Sequence, residues 1–274
     1  MRIRTWQLWT ITVVVTLLAA VYQRITGPTW PLNGTVQVGG AEVKFKLLRT
    51  HPGAGDAEIA LNVPDQAVSG TVEFRRVRSR DLWTRQDLSR AGDSLVARLP
   101  HQPPAGKVAY RIRLAKQGGA AVELTPEPVI IRFRGDVPAL VLIPHIVLMF
   151  TGMLLSNVAA LEALSKGSRV LSYSVWALIG IAIGGLALGP VVQNYAFNAY
   201  WTGWPMGEDL TDNKTALSAL AWALAVWRVR RSTTGRGWVI AAAIITMAAY
   251  LIPHSTLGSE LDYTTGAPGA AGAL

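Results

Sequence analysis

The chain has 274 residues and no cysteine, half of it is hydrophobic, and only 16% is charged, against about 25% in average soluble chains. Without cysteine there are no disulfides, no thiolate catalysis, no Cys-ligated zinc or iron–sulfur cluster and no covalent c-type haem. The net charge is +9, but sixteen of the 26 basic residues share residues 29–136 with eleven acidic ones, and the other ten flank or separate apolar blocks. Membrane topology accounts for that placement, so nucleic acid is not an expected partner and a lipid bilayer is.

The first apolar block runs from Thr5 to Tyr22 behind Arg2 and Arg4. A cleaved signal peptide and an uncleaved signal anchor both have this form. The anchor is favoured, because the run has the length of a span and Leu18 to Gln23 offers no small-x-small cleavage site. Trp6, Trp9, Tyr22 and Trp30 stand where interfacial aromatics belong.

Residues 29–136 change character. Gly39-Gly40 separates Thr35–Val38 from Ala41–Leu48, a hairpin signal. Short runs follow at Ala57–Val63, Thr71–Val77, Ser94–Leu99, Lys107–Leu114, Ala121–Leu124 and Val129–Phe133, with Pro/Gly/Asp turns between them. Seven or eight strands in this rhythm predict an all-β, immunoglobulin-like sandwich. His51 and His101 lie in its turns and read as surface loop residues.

Four further spans are predicted: Ala139–Asn157, Val170–Leu188, Thr215–Val226 and Trp238–Pro253. Between the second and third of these lies a polar-aromatic loop, Gly189–Asn213, in which Thr211 or Asp212 can N-cap the next helix. Arg2/Arg4, Lys166/Arg169 and Arg228–Arg236 fall on alternate connections, with Arg24 a minor exception. The positive-inside rule therefore puts the N-terminus in the cytoplasm, and the β-region, the 189–213 loop and the C-terminus outside. The expected organisation is a membrane α-helical bundle of about five transmembrane helices with an inserted β-domain. Its parts are a signal anchor (1–28), the β-sandwich (29–136), a four-helix bundle (137–254) and a flexible tail (255–274), in a bacterial inner membrane.

Chemistry-bearing residues are few. His145 and His254 each follow Ile-Pro. At 1.5 Å per residue His145 lies roughly 13 Å from Asp136 and His254 roughly 24 Å from Trp238, both in the outer half of the bilayer. An imidazole pair at one depth is a candidate for a metal ion, haem b or a quinol. A capping role for His254 and a bond from His145 to a carbonyl freed by proline are the plainer alternatives. Glu208, Asp209 and Asp212 bring three carboxylates together, in a composition suited to a cation but without EF-hand spacing. Tyr200, Trp201 and Trp204 suit an interface or a partner contact.

Two resemblances attach to these residues. Leu99 to Ile112, where a Pro/Gly-rich turn feeds a strand bearing Tyr110, resembles the late-strand hairpin of bacterial Ig-like and fibronectin-III-like modules. The Tyr-Trp-x-Gly-Trp-Pro loop with Asp-Leu-Thr-Asp-Asn-Lys-Thr and the paired Ile-Pro-His resembles uncharacterised bacterial polytopic inner-membrane proteins with an extracytoplasmic β-sandwich. Those resemblances imply a fold and bring no activity. Two functional expectations follow. One is a non-catalytic accessory or scaffold subunit of an envelope or electron-transfer complex, docking other membrane-complex subunits through its β-domain. The other is a redox, metal- or quinol-binding protein using His145 and His254. No Walker loop, GxSxG, HExxH or GxGxxG stands in a suitable context, so catalysis is the less expected role.

Overall fold

The computed structural model describes residues 4–232, 235–254, 256, 258–266 and 268–270. Among the described residues are five helical rods and a separate β-sheet region between the first two. Three rods are long and apolar enough to cross a membrane: Thr5–Thr26, Ala139–Leu164 and Val170–Phe197.

The β-region follows helix α1 (Thr5–Thr26). Strands β1 (Leu32–Val38) and β2 (Ala41–Leu47) form the expected hairpin. Gly39 and Gly40 both have positive φ, 57° and 86°, which side chains on L-residues resist and which a two-residue primed turn requires. The larger sheet has the order β3 (Thr50–Pro52), β11 (Val129–Arg134), β9 (Lys107–Lys116), β5 (Val68–Arg76), β6 (Thr84–Asp87), with β10 (Val122–Glu123) beside β9. The smaller sheet has the order β4 (Ala57–Asn62), β8 (Ser94–Leu99), β7 (Ser89–Ala91). All pairings in these two sheets are antiparallel except β3 with β11.

Alternation makes one face of each strand apolar. Ile59 and Leu61 of β4, Val72 of β5, Leu95, Ala97 and Leu99 of β8, Tyr110, Ile112 and Leu114 of β9, and Ile131 and Phe133 of β11 form a single buried core. The buried Tyr110 hydroxyl donates to the Leu48 carbonyl at 2.8 Å, which satisfies its one polar atom. On the other face an ion ladder crosses the strands. Glu73 accepts from Arg111 at 2.6 Å and from Arg113 at 3.1 Å, and Arg113 reaches Glu123 at 2.6 Å.

The helical part begins with α2 (Ala139–Leu164). A continuous rod follows: α3 (Val170–Ile181), a π-helical segment Ala182–Leu188, and α4 (Gly189–Phe197). The last two rods are α5 (Leu210–Arg231) and α6 (Arg236–Leu251). These rods outrun the predicted apolar blocks. The stretch predicted as a 189–213 loop is helical through Phe197 and from Leu210, so only the segment 198–209 is loop. The extensions are polar or amphipathic turns that hydropathy does not register, closed by end-specific chemistry. Asn198 ends α4 in the left-handed region at φ 57°, and Asp209, rather than Thr211 or Asp212, caps α5 by accepting from the Thr211 N–H at 2.8 Å.

Small residues set the helix spacing. A Cβ on Gly180 would lie 3.0 Å from the Gly152 Cα and 3.1 Å from its nitrogen, so α2 and α3 cross backbone against backbone. Polar bonds tie the remaining rods: Asn157 to Thr16 (3.1 Å), Gln23 to the Tyr250 carbonyl (2.9 Å), the Tyr250 hydroxyl to the Met149 carbonyl (2.6 Å) and the Trp222 indole to Thr246 (2.9 Å).

The expected flexible tail is instead seated where it is described. Strand β12 (Ser259–Leu261) pairs with β13 (Pro268–Ala270), and Ser259 and Glu260 are buried. Leu261 N–H donates to the Ala105 carbonyl, and the Tyr263 hydroxyl to Gln102 at 2.8 Å, which fastens the tail to the turn before β9. Its small polar residues carry no local signal of this, because the Ala105 and Gln102 partners lie in the β-region, far away in sequence.

Gly180→Leu should force α2 from α3 and destabilise the protein by about 1–3 kcal/mol, with Gly180→Ala milder; thermal unfolding in one detergent measures the difference. Hydrogen bonding from Arg111 holds the Glu73 carboxyl below its ordinary value. Its contribution is therefore present above the unfolded carboxyl's value of about 4.3 and is lost as pH falls through the depressed folded value. Glu73→Gln should lower the melting temperature at neutral pH, with the gap to wild type closing in acid.

Candidate functional site at the junction of sheets and helices

The ends of α1, α4 and α6 and the starts of α2 and α5 meet the β-region. There the Gly135 N–H donates to the Ala196 carbonyl at 2.9 Å, joining the strand exit to α4. Asp209 is the centre of the polar contacts. One oxygen caps α5. The other accepts from the Thr202 hydroxyl (3.1 Å), the Ser259 N–H (2.9 Å) and the Ser259 hydroxyl (3.1 Å). Gln193 of α4 donates to Thr202 (2.7 Å) and Ser259 (3.1 Å). Asp212, one turn into α5, accepts from the backbone of Thr202 (2.7 Å) and Gly203 (3.0 Å). Loop, helix and tail are thus held by two carboxylates, with charge-assisted bonds that are the stronger kind. Lys214, buried on α5, donates to the Ile252 carbonyl at 2.5 Å and so closes the end of α6.

Beneath this network is a cavity of about 190 Å³ lined by groups from both halves of the molecule. His145, Met149, Val192, Phe197 and His254 supply its floor and walls, Gln193, Thr211 and Asp212 a polar side, and Arg132 of β11 reaches it from the sheet. The π segment shapes one wall. Gly184 gives its carbonyl to His145 Nδ1 at 2.8 Å, leaving Nε2 open, and a Cβ on Gly185 would lie 2.5 Å from the Thr215 methyl. A π-turn widens the helix and frees carbonyls from the regular ladder, which is how this bond becomes available.

Arg132 is the unusual group. It is 5% exposed, and neither terminal nitrogen of its guanidinium has a hydrogen-bond partner. Its plane lies 4.9 Å from the Phe197 ring centre, which fixes its orientation. Burial pushes it down to about 10, with Asp209 and Glu260 acting the other way; it remains charged at neutral pH. Glu260 engages Lys107 at 3.3 Å and Arg78 at 3.7 Å through one oxygen, and its other oxygen, like the Arg132 nitrogens, is buried without a hydrogen-bond partner. Buried arginines are ordinarily paired, because an unpaired buried charge is expensive.

The predicted site residues divide. His145, His254, Asp209 and Asp212 line one cavity; Glu208 is exposed on the loop outside it. Among the described residues no group of three or more His, Asp or Glu side chains is placed to hold a metal ion. The physical reason is that the Asp209 and Asp212 oxygens are taken up by Thr202, Gly203, Thr211 and Ser259. Tyr200 and Trp204 are exposed at the loop tip, with the Trp201 indole donating to the Trp204 carbonyl at 3.1 Å. His51 and His101 lie edge-on to Phe133 at 5.4 and 5.8 Å, away from the cavity. Sequence reasoning missed Arg132, Gln193, Thr202 and Ser259. None of them carried a local signal: Arg132 stands between the core-facing Ile131 and Phe133 of β11, on the opposite face of the strand, where alternation allows a charge.

No family model matches this chain, and no curated protein matches it.

Asp209→Asn keeps the size of the side chain but replaces an acceptor oxygen with a donor, so the four donors around it can no longer all be met. Protection of the Ser259 amide from hydrogen exchange should fall by about 10- to 100-fold, given a 1–3 kcal/mol penalty for an unmet buried group. Unchanged exchange would show that the tail is held without Asp209.

Proposed function

We propose that the protein is a non-catalytic, ligand-binding subunit of a bacterial cytoplasmic membrane, with its N-terminus inside and its β-region outside. Five spans are supported by the packing of α5 and α6 beside the three long apolar rods and by outward apolar residues on them, Leu220 and Ile244. The orientation is supported by the arginines at the helix ends opposite the β-region. An immunoglobulin-like sandwich is supported by the strand orders β3-β11-β9-β5-β6 and β4-β8-β7, which follow the A′GFCC′ and BED pattern of that fold.

One observation carries the functional reading. Arg132 is buried at a cavity that joins the two halves of the molecule and has both terminal nitrogens unpaired. A planar guanidinium fork held over an aromatic ring is preorganised for a carboxylate or phosphate. The ligand of this subunit is therefore anionic, and its binding bridges the β-region to the helices. A docking role for the β-region has separate support. Arg75 and Arg111 flank Trp83 at 5.0 and 4.9 Å, with Leu82 exposed next to it, a surface suited to an acidic partner subunit.

The test separates a ligand-binding arginine from a structural one. Arg132→Met should melt at or above the wild-type temperature without ligand, since it removes an unpaired buried charge. Millimolar inorganic phosphate or acetate should raise the wild-type melting temperature by mass action and leave Arg132→Met unmoved. If the arginine is structural, Arg132→Met loses about 3–5 kcal/mol and neither anion has an effect.

A further inference from the structure

The cavity beneath Arg132 adjoins a second space. A second hollow of about 410 Å³ shares His145, Met149, Val192 and His254 with it. This hollow is a groove between α1, α2 and the end of α6, walled by Ala20, Leu142, Ile146, Phe150 and Tyr250. Its lining is mostly apolar, and Ile143 and Ile146 on the adjoining face of α2 are exposed. The two spaces together change character along their length. At one end are the guanidinium, Gln193 and Thr211, together with Asp209 and Asp212, whose oxygens accept from Thr202, Gly203, Thr211 and Ser259. Met149, Val192 and the two imidazoles line both spaces, and beyond them the lining is an apolar groove along the helix surface. A small soluble anion would use only the first of these parts.

Resting on the anion-binding reading, we propose that the ligand is an anionic amphiphile. Its single carboxylate or phosphate headgroup pairs with both free edges of Arg132, and its hydrocarbon chain lies in the groove between α1 and α2. The chemistry is shared by a free fatty acid and by an acidic phospholipid. The small headgroup space, about 190 Å³, and the single guanidinium with both terminal nitrogens unmet fit one small anionic group. His145 Nε2, left open by the bond from Nδ1 to Gly184, is placed to accept from a hydroxyl on the headgroup or its linker. The ligand reaches the site sideways from the outer leaflet. Arg24, stacked on Trp30 at 5.3 Å, stands at the groove's outer end and offers a rival place for the headgroup.

The experiment uses the full chain. Oleate and phosphatidylglycerol are compared with acetate and inorganic phosphate, by thermal shift in neutral detergent and by native mass spectrometry from phosphatidylcholine nanodiscs. Burying even a few methylenes at about 0.8 kcal/mol each makes the long-chain anion more than about 100-fold tighter than the short one. Arg132→Met should abolish retention of the long-chain anion. Ile146→Trp, which fills the groove, should bring its affinity down to that of the short anion. Retention by oleate alone or by phosphatidylglycerol alone identifies the source, and either supports the proposal. Equal affinity for short and long anions would overturn the amphiphile while leaving the anion site standing. No response to any anion would remove both. Retention lost in Arg24→Gln but kept in Arg132→Met would put the headgroup at the groove's outer end and overturn the placement proposed here.

Discussion

The carboxylate of Asp209 organises the end of the helices that faces the β-region. It caps α5, holds the hydroxyl of Thr202 from the preceding loop, and receives both polar groups of Ser259 from the tail. The loop, the helix it leads into and the distant tail therefore meet at one buried group. A buried carboxylate is tolerated only when its lone pairs are filled, so these donors are required together. With the tail held there, Glu260 is carried to Lys107 and Arg78, and Leu261 and Tyr263 to the turn before β9. The β-region is seated on the helices through the tail as well as through its two chain connections.

The space under this seal arises from how the helices approach. Backbone contact between Gly152 and Gly180 brings α2 and α3 together at mid-length. Further out, Pro144 interrupts α2 and the π segment widens the facing rod. Proline lacks an N–H and a π-turn displaces carbonyls, so neither helix presents a regular hydrogen-bonded surface there. The bond from His145 to Gly184 takes up one freed carbonyl, and room remains beside it. Into this room reaches Arg132, a residue of the sheet, with Phe197 of α4 against its face. Neither half of the molecule holds the site alone.

Much of the architecture was legible in the sequence. The β1–β2 hairpin, the runs Ser94–Leu99 and Val129–Phe133, and the separation of a sheet region from apolar helices all follow from periodicity and turn residues. The helix ends were misplaced outward and inward by several residues, because hydropathy marks the apolar middle of a rod while polar caps decide its end. The short strands β6 and β7 were missed for a related reason: Thr84–Asp87 is exposed and polar on both faces, so no alternation marks it.

For the site, the sequence determined the ingredients: the imidazoles after Ile-Pro and the carboxylates around the start of α5. Those are local properties, written in residue type and spacing. Only the tertiary structure decided their roles. It used Asp209 and Asp212 to bind backbone and hydroxyl groups, left Glu208 outside, ordered the tail from Ser259 to Tyr263, and put Arg132 unpaired beside His145 and His254. Whether a polar group is met or left open depends on neighbours brought in from distant parts of the chain, and no local pattern encodes that.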